Sequence, residues 1–178
     1  MSELFFAGID PGLSGALAVL QTRDFFDRPI SPPELAHVQH VDVLSVKTST
    51  GKTRNELDIA TMNRLMRGMA SGERVTCAIE QVNAMPGQGV TSMFRFGQVY
   101  GQLHALVVCS GWSVHHVTPQ RWKADLRLGK GKDEARKRAM ELWPQQAGLF
   151  ARAKDDGRAE AALIAYWLWR NQTAKLSP

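Results

Sequence analysis

The sequence contains few of the residues that build disulfide-linked, zinc-binding or membrane-spanning proteins. Its 178 residues include only two cysteines. Cys77 and Cys109 both lie in apolar surroundings with no second pair nearby, so we expect buried, reduced thiols. The five histidines show no zinc-ligand spacing. No apolar run approaches the roughly 20 residues that cross a bilayer, and the first residues carry no basic leader. We therefore expect a cytoplasmic protein without membrane contacts.

Positive charge is concentrated in one part of the chain. Eight of the 22 basic side chains lie between Arg121 and Arg138, together with three acidic ones. This window has a net charge of +5, which equals the net charge of the whole chain, so the remainder is neutral. A local cationic patch on a neutral body favours a polyanion such as nucleic acid. A solvated helix face is the alternative.

The N-terminal residues predict a tight β-hairpin. Two apolar runs, residues 4–7 and 16–20, are separated by Asp10, Pro11-Gly12 and Ser14-Gly15. Turn residues between two short apolar runs are typical of hairpins. Asp10 would stand where the first strand ends.

The rest of the chain alternates between apolar runs and helical patterns. Further strands are predicted at 37–46, 75–80 and 112–117. Helices are predicted at 55–70, 91–108, 133–142 and from 155 or 156 to 170, with another starting at Thr118-Pro119. Residues 21–36 and 47–54 are interpreted as surface loops. The order predicts one α/β domain over residues 1–178, whose five-stranded sheet is mixed and flanked by helices.

Four acidic residues occupy comparable places in these elements. Asp10 and Glu80 each end an apolar strand, and Asp156 and Glu160 are four residues apart on the last helix, so they share a face. Buried or adjacent carboxylates are costly unless a partner compensates their charge. Mg²⁺ is such a partner, because it binds carboxylate and phosphate oxygens together. Two ions about 4 Å apart support phosphodiester hydrolysis, so the pattern predicts a metal-dependent site.

Each acid also has a simpler interpretation. Asp10 lies in an Asp-Pro-Gly sequence that is ordinary turn chemistry. Glu80 could pair with Arg95, and Asp155 or Asp156 could cap the last helix. The joint occurrence of two strand-end acids and a helical pair favours the metal site.

Five segments resemble one protein family in order and over nearly the whole chain. They are Gly-Ile-Asp-Pro-Gly-Leu-Ser-Gly-Ala at 8–16, Ala-Ile-Glu-Gln-Val at 78–82, Phe-Gly-Gln-Val-Tyr-Gly at 96–101, Val-Thr-Pro at 117–119 and Asp-Gly-Arg-Ala-Glu-Ala at 156–161. Together they resemble RuvC-type Holliday-junction resolvases. The resemblance implies an RNase H-like fold, a homodimer, and Mg²⁺-dependent nicking of two opposed strands of a four-way DNA junction, with 5′-phosphate ends.

The resemblance also implies roles for individual residues. Asp10 would bridge two Mg²⁺ ions, for which Mn²⁺ would substitute, and Glu80, Asp156 and Glu160 would complete the metal and catalytic set. Lys132 would act in catalysis beside the scissile phosphate, where Lys123 also resembles a family residue. The backbone-binding residues expected are Arg95, Lys123, Lys130, Lys132 and Arg136.

Two features depart from the bacterial pattern. Bacterial members carry aspartates three apart on the last helix, whereas Asp156 and Glu160 are four apart; phage and organellar relatives are closer here. Asp155 therefore remains an alternative to Asp156 as ligand. The loop after Glu80, including 85–89, is longer than in bacterial members.

Several apolar side chains have two interpretations. In relatives, the helix from Thr91 supplies the dimer contact, and an ordinary core stripe explains the same side chains equally well. These side chains are Phe94, Phe96, Val99, Tyr100 and Leu103. Trp122 and Trp143 are assigned to the core.

The prediction is a structure-selective DNA endonuclease, bacterial or phage-encoded, that resolves four-way junctions during recombination and repair. It would use no small-molecule cofactor. A ribonuclease H acting on RNA–DNA hybrids shares fold and metals and is one alternative. A junction-binding scaffold without catalysis is another.

Overall fold

The computed structural model describes residues 5–23, 29–69, 74–81, 83, 87–131 and 133–176. The strands in these ranges are β1 (Phe5–Asp10), β2 (Ala16–Arg23), β3 (Pro29–His40), β4 (Val43–Lys47), β5 (Thr53–Leu57), β6 (Val75–Glu80) and β7 (Ser113–Val117). The α-helices are α1 (Ile59–Met69), α2 (Val90–Cys109), α3 (Pro119–Asp125), α4 (Glu134–Leu142) and α5 (Asp156–Leu176). Short 3₁₀ segments cover Pro144–Phe150 and Ala153–Asp155.

Five strands form one mixed sheet in the order β3-β2-β1-β6-β7. The pairs β1–β2 and β2–β3 are antiparallel, and β1–β6 and β6–β7 are parallel. The predicted five-stranded mixed sheet is therefore confirmed. Strands β4 and β5 pair with each other in a separate two-stranded sheet.

Helices cover both faces of the large sheet. Side chains alternate along a strand, so Ala7 and Ile9 pack with α1 and α2 on one face, whereas Phe6 packs with α3, α4 and α5 on the other. Asp10 has the same parity as Phe6 and therefore belongs to the α5 face. Gly8 allows α5 to lie directly on β1, because a Cβ there would come 2.1 Å from the carbonyl oxygen of Ala161.

The predicted loop at 21–36 is wrong in part. β2 continues to Arg23, and β3 starts at Pro29, with residues 24–28 outside the described ranges. Pro32 and Pro33 did not suggest a strand. β3 is at the edge of its sheet, where a missing backbone N–H does not interrupt a hydrogen-bond ladder between two neighbours. The predicted strand at 37–46 is correspondingly split between β3 and β4.

The predicted start of the first helix is also wrong. Asn55 lies in β5, and α1 begins at Ile59. Asp58 supplies the cap, since the Thr61 backbone N–H donates to Asp58 Oδ1 at 2.9 Å.

Other predicted boundaries are confirmed. β6 spans the predicted residues 75–80. Thr118 caps α3 by accepting the Arg121 backbone N–H at 3.4 Å, and Pro119 is the first helical residue. Asp133 precedes α4 as predicted, but its side chain makes no backbone cap and pairs with Arg136.

Three of the four side chains predicted to be buried are buried in the structure, and one is exposed. Trp122 and Trp143 are buried, as predicted, and Cys77 is a buried free thiol. Cys109 is a free thiol but is exposed, so the expectation of burial is wrong for it. Within the described residues, no helix has the length and apolar character needed to traverse a bilayer.

The apolar side chains of α2 divide between core and surface. Val99 and Leu103 are buried against the sheet, whereas Phe94 is 68% exposed. The core interpretation therefore accounts for Val99 and Leu103 but leaves Phe94 on the surface.

Candidate metal centre

Parallel pairing of β1 with β6 brings the two strand-end acids to one edge of the sheet. Ile9 is level with Ile79, so the next residues, Asp10 and Glu80, end neighbouring strands side by side. Ala78 lies in the cluster on the α5 face, and Glu80 has the same parity. The two carboxylates therefore project from the same edge toward the same helix.

Helix α5 supplies the third acid. It packs along β1, and Glu160 lies one residue before Ala161, whose carbonyl approaches Gly8. One carboxylate oxygen from each of Asp10, Glu80 and Glu160 lies within 4.8 Å of the other two. Three acids from two strands and a helix thus meet in the folded chain.

A second glycine keeps the start of α5 close to this edge. A Cβ at Gly157 would lie 2.8 Å from the Ser14 carbonyl oxygen and 3.1 Å from Asp10 Oδ2. A side chain there would push the helix away from the loop that follows β1. Gly157 therefore allows the first turn of α5 to lie against the Asp10 carboxylate.

The three acids repel one another electrostatically. Burial raises the pKa of Asp10 well above its ordinary value, and the nearby Glu160 and Glu80 raise it further. Burial also raises the pKa of Glu80, an effect that the Trp122 hydrogen bond opposes and the charge of Glu160 reinforces. Clustered carboxylates with raised pKa values are stabilised by a cation among them.

Two consecutive residues of α3 contact two of the acids. The indole N–H of Trp122 donates to Glu80 Oε1 at 2.7 Å, and Lys123 Nζ donates to Glu160 Oε1 at 2.6 Å. The charge of Lys123 also acts to lower the pKa of Asp10. Sequence reasoning placed Trp122 only in the core and missed this contact. The available signal was its position one turn after the Thr118-Pro119 helix start.

Asp156 lies one helical turn before Glu160 but outside the three-acid group. Its Oδ1 is 2.6 Å from Arg136 Nε in an ion pair, and its side chain is 51% exposed. Arg136 also pairs with Asp133. The predicted backbone-binding residue Arg136 is thus engaged by two acids near the start of α5.

Asp155 is fully buried, and its carboxylate contacts arginines rather than the three clustered acids. Its carboxylate accepts the backbone N–H of Arg152 at 3.0 Å and pairs with the side chains of Arg152 and Arg158. Burial alone would raise its pKa, but these hydrogen bonds and the charge of Arg158 bring it below the ordinary value. Asp155 holds the segment before α5 in place, and both of its oxygens are bonded to arginines.

Two of the remaining predicted backbone-binding residues, Arg95 and Lys130, lie on the surface. Arg95 is exposed on α2 and, with Arg54 of β5 and Leu13 from the loop after β1, lines a cleft. Lys130 is exposed after α3. Lys132 lies outside the described residues.

The donor set fits a hard divalent cation. All three side chains offer carboxylate oxygens, which Mg²⁺ and Mn²⁺ prefer over nitrogen or sulfur ligands. Burial, together with the charges of Glu160 and Glu80, raises the pKa of Asp10 despite the opposing charge of Lys123, so ionised Asp10 is disfavoured without a further cation. A cation among the oxygens would compensate this directly.

Comparison with known proteins gives one sequence relative and several structural ones. No protein-family model matches the chain. The chain is 36% identical over 95 residues to the chloroplastic Holliday junction resolvase MOC1 of Chlamydomonas reinhardtii. That match covers 50% of the chain and 10% of MOC1, so the chain spans about a tenth of the length of this curated relative. It agrees with the predicted closeness to organellar sequences.

Two solved structures of Thermus thermophilus RuvC share the fold. The first, RuvC in complex with a Holliday junction substrate, has a TM-score of 0.58 and 17% identity, over 97% of this chain and 96% of RuvC. The second, RuvC, has a TM-score of 0.56 and 14% identity, over 96% of each chain. The predicted RNase H-like fold is therefore confirmed.

Proposed function

We propose that this chain is a structure-selective DNA endonuclease that hydrolyses phosphodiesters at four-way junctions during recombination and repair. The observation that carries the proposal is the convergence of Asp10, Glu80 and Glu160 within 4.8 Å at one edge of the sheet. Support comes from the fold shared with a junction-bound RuvC and from the identity with a chloroplast junction resolvase.

Divalent cations would be held by Asp10, Glu80 and Glu160, with Asp156 as a fourth ligand. Asp156 and Glu160 are one turn apart on α5, so they share a helix face. Asp156 would exchange Arg136 for the metal. Mg²⁺, or Mn²⁺ in its place, would supply activation of water and stabilisation of the leaving oxygen. The chain itself supplies the fixed positions of the acids.

Basic residues around this edge would hold the DNA backbone. Lys123 lies beside the acids, Lys130 and Arg136 lie on the following segment, and Arg95 lines the cleft next to the loop after β1. Lys132 is proposed from the family resemblance alone. Because phosphate contacts release counterions, junction binding should weaken steeply as salt increases.

Symmetric resolution requires two such sites. Two-fold symmetry in a homodimer would present one site to each of two opposed strands. The exposed side chain of Phe94 on α2 supports this helix as the contact surface. Junction selectivity would then come from DNA shape and from the fixed spacing of the two sites.

The test is cleavage of a synthetic four-way DNA junction in the presence of Mg²⁺. We expect the wild type to nick two opposed strands and Asp10→Asn to abolish nicking. Junction affinity should be kept or improved in this variant, because an acid that faces phosphates is removed. Glu141→Gln, which changes an exposed acid of α4 paired with Arg138, is the matched control and should cleave normally.

Other outcomes distinguish the alternatives. A protein that cleaves RNA–DNA hybrids but leaves all-DNA junctions uncleaved would be identified as a ribonuclease H. Tight junction binding without nicking by the wild type would identify a scaffold. Loss of both binding and cleavage in Asp10→Asn would assign Asp10 a structural role.

A further inference from the structure

The indole of Trp122 makes a buried contact with one acid of the metal centre. Its N–H donates to Glu80 Oε1 at 2.7 Å. Trp122 has no exposed surface and Glu80 is 5% exposed. A hydrogen bond to a buried carboxylate is stronger than one between neutral groups and restricts the carboxylate orientation.

Local structure fixes the position of this indole. Glu80 is level with Val117 in the β6–β7 pair, and the Gln81 backbone N–H donates to the Val117 carbonyl oxygen at 2.7 Å. Thr118 then caps α3, which places Trp122 one turn into a helix that starts beside Glu80. The ring belongs to the buried cluster on the α5 face, together with Val117.

A second buried tryptophan shows that a carboxylate is not needed to bury an indole in this chain. Trp143 is 5% exposed, and its N–H donates to the main-chain carbonyl of Pro33 at 2.9 Å. Burial of an indole requires only some acceptor. Trp122 differs because its acceptor is one of the three clustered acids.

We infer that Trp122 is a positioning residue that holds the Glu80 carboxylate toward Asp10 and Glu160 before a cation binds. The hydrogen bond occupies one acceptor position on Oε1 and fixes the rotation of the carboxylate. Glu80 would otherwise turn within the space left by the other acids to reduce repulsion from Glu160. This inference rests on the proposed function, since it assigns the three acids to a divalent cation.

The test compares Trp122→Phe with Trp143→Phe. Each variant keeps an aromatic ring in the core and loses one buried indole hydrogen bond. Binding of Mg²⁺ and Mn²⁺ to metal-stripped protein is measured by calorimetry without DNA, and thermal unfolding is measured in parallel. We expect Trp122→Phe to bind cations about 10- to 100-fold more weakly, which is the typical effect of replacing a residue that orients a metal ligand. Trp143→Phe should bind like the wild type.

Replacement of Trp122 by benzothienylalanine gives a second variant, which keeps the shape of the indole but has sulfur in place of N–H. It should show the same loss of cation affinity with less effect on folding. Equal cation affinity in the Trp122 and Trp143 variants would overturn the inference. Failure of the wild type to cleave a junction would overturn the proposed function instead, and the two results are measured separately.

Discussion

Lys123 Nζ lies 2.6 Å from Glu160 Oε1, so a positively charged side chain already lies beside the three acids. Both side chains are partly exposed, at 40% for Lys123 and 24% for Glu160, so water weakens the pair. Lys123 also acts to lower the pKa values of Asp10 and Glu80. The ammonium group therefore compensates the acids in part and competes with a divalent cation for Glu160.

We predict that Lys123→Met keeps or strengthens Mn²⁺ binding by metal-stripped protein while it lowers junction cleavage at least about tenfold. The methionine removes the competing charge from Glu160, and it also removes a cation beside the acids where a phosphate would lie. Calorimetry and cleavage of a four-way junction measure the two effects. Lys47→Met removes the same charge from an exposed position on β4 and should leave Mn²⁺ affinity unchanged. Weaker Mn²⁺ binding in Lys123→Met alone would contradict this competition.

The raised pKa of Asp10 predicts a pH dependence of stability in metal-free protein. A carboxyl group with a raised pKa in the folded state binds its proton more tightly there than in the unfolded chain. Its contribution is fully present below the unfolded pKa of about 4 and is lost as the pH rises through the folded pKa. We therefore expect the free energy of unfolding of the wild type to fall relative to that of Asp10→Asn as the pH rises above about 4.

Urea denaturation with a chelator, at about pH 5 and about pH 7.5, measures this difference. Excess Mg²⁺ should remove it in the wild type, because a bound cation stabilises the ionised acids. Parallel pH profiles for the wild type and Asp10→Asn would show that the Asp10 carboxyl is not destabilised by its surroundings.

Asp155 predicts the opposite pH dependence. Burial would raise the pKa of Asp155, but hydrogen bonds from Arg152 and Arg158 outweigh this effect and lower the pKa. Its contribution to stability is present above the unfolded pKa and is lost as the pH falls. Asp155→Asn should lower the free energy of unfolding near neutral pH by about 2 kcal/mol, because Arg158, whose side chain is 13% exposed, loses its charged partner.

The deficit of Asp155→Asn should shrink as the pH falls below about 4, because the carboxyl group of the unfolded wild-type chain then becomes protonated while the folded carboxylate, whose pKa is lowered, stays ionised. Glu141→Gln, which breaks an exposed pair on α4, is the control and should change stability little. A deficit of the same size at acid and neutral pH would exclude ionised Asp155 as its source.

The main chain around the three clustered acids was predictable because it depends on local patterns. Asp10 and Glu80 each follow a buried run, and parallel strands place their last residues at the same edge. The Thr118-Pro119 helix start likewise depends on neighbouring residues. Such features are encoded within a few positions and need no knowledge of distant contacts.

Side-chain pairings across the sequence were not predictable in this way. The contact of Trp122 with Glu80 joins residues 42 positions apart and depends on how α3 lies against β6. Pro32 and Pro33 suggested a loop because local propensity does not indicate whether a strand will be at an edge. The pairing of Asp156 with Arg136 similarly depends on how α4 packs beside α5.

Whether Asp156 acts as a metal ligand can be tested directly through its ion pair with Arg136. Two variants separate its possible functions: Asp156→Asn removes the carboxylate, whereas Arg136→Gln breaks the same ion pair and leaves the carboxylate in place. If Asp156 is the fourth ligand, Asp156→Asn should lower the cleavage rate at saturating junction on the order of 100-fold, about 2.7 kcal/mol of transition-state stabilisation. Cation affinity should fall less, because three acids remain.

Saturating junction matters because Arg136 is also proposed to bind the DNA backbone, and saturation removes that contribution from the measured rate. Arg136→Gln should then cleave within about threefold of the wild type, since the freed Asp156 carboxylate remains one turn from Glu160 on the same helix face. Equal losses in the two variants would mean that the Asp156–Arg136 ion pair itself matters, by holding α4 against α5. In that case the metal centre would consist of Asp10, Glu80 and Glu160 without Asp156.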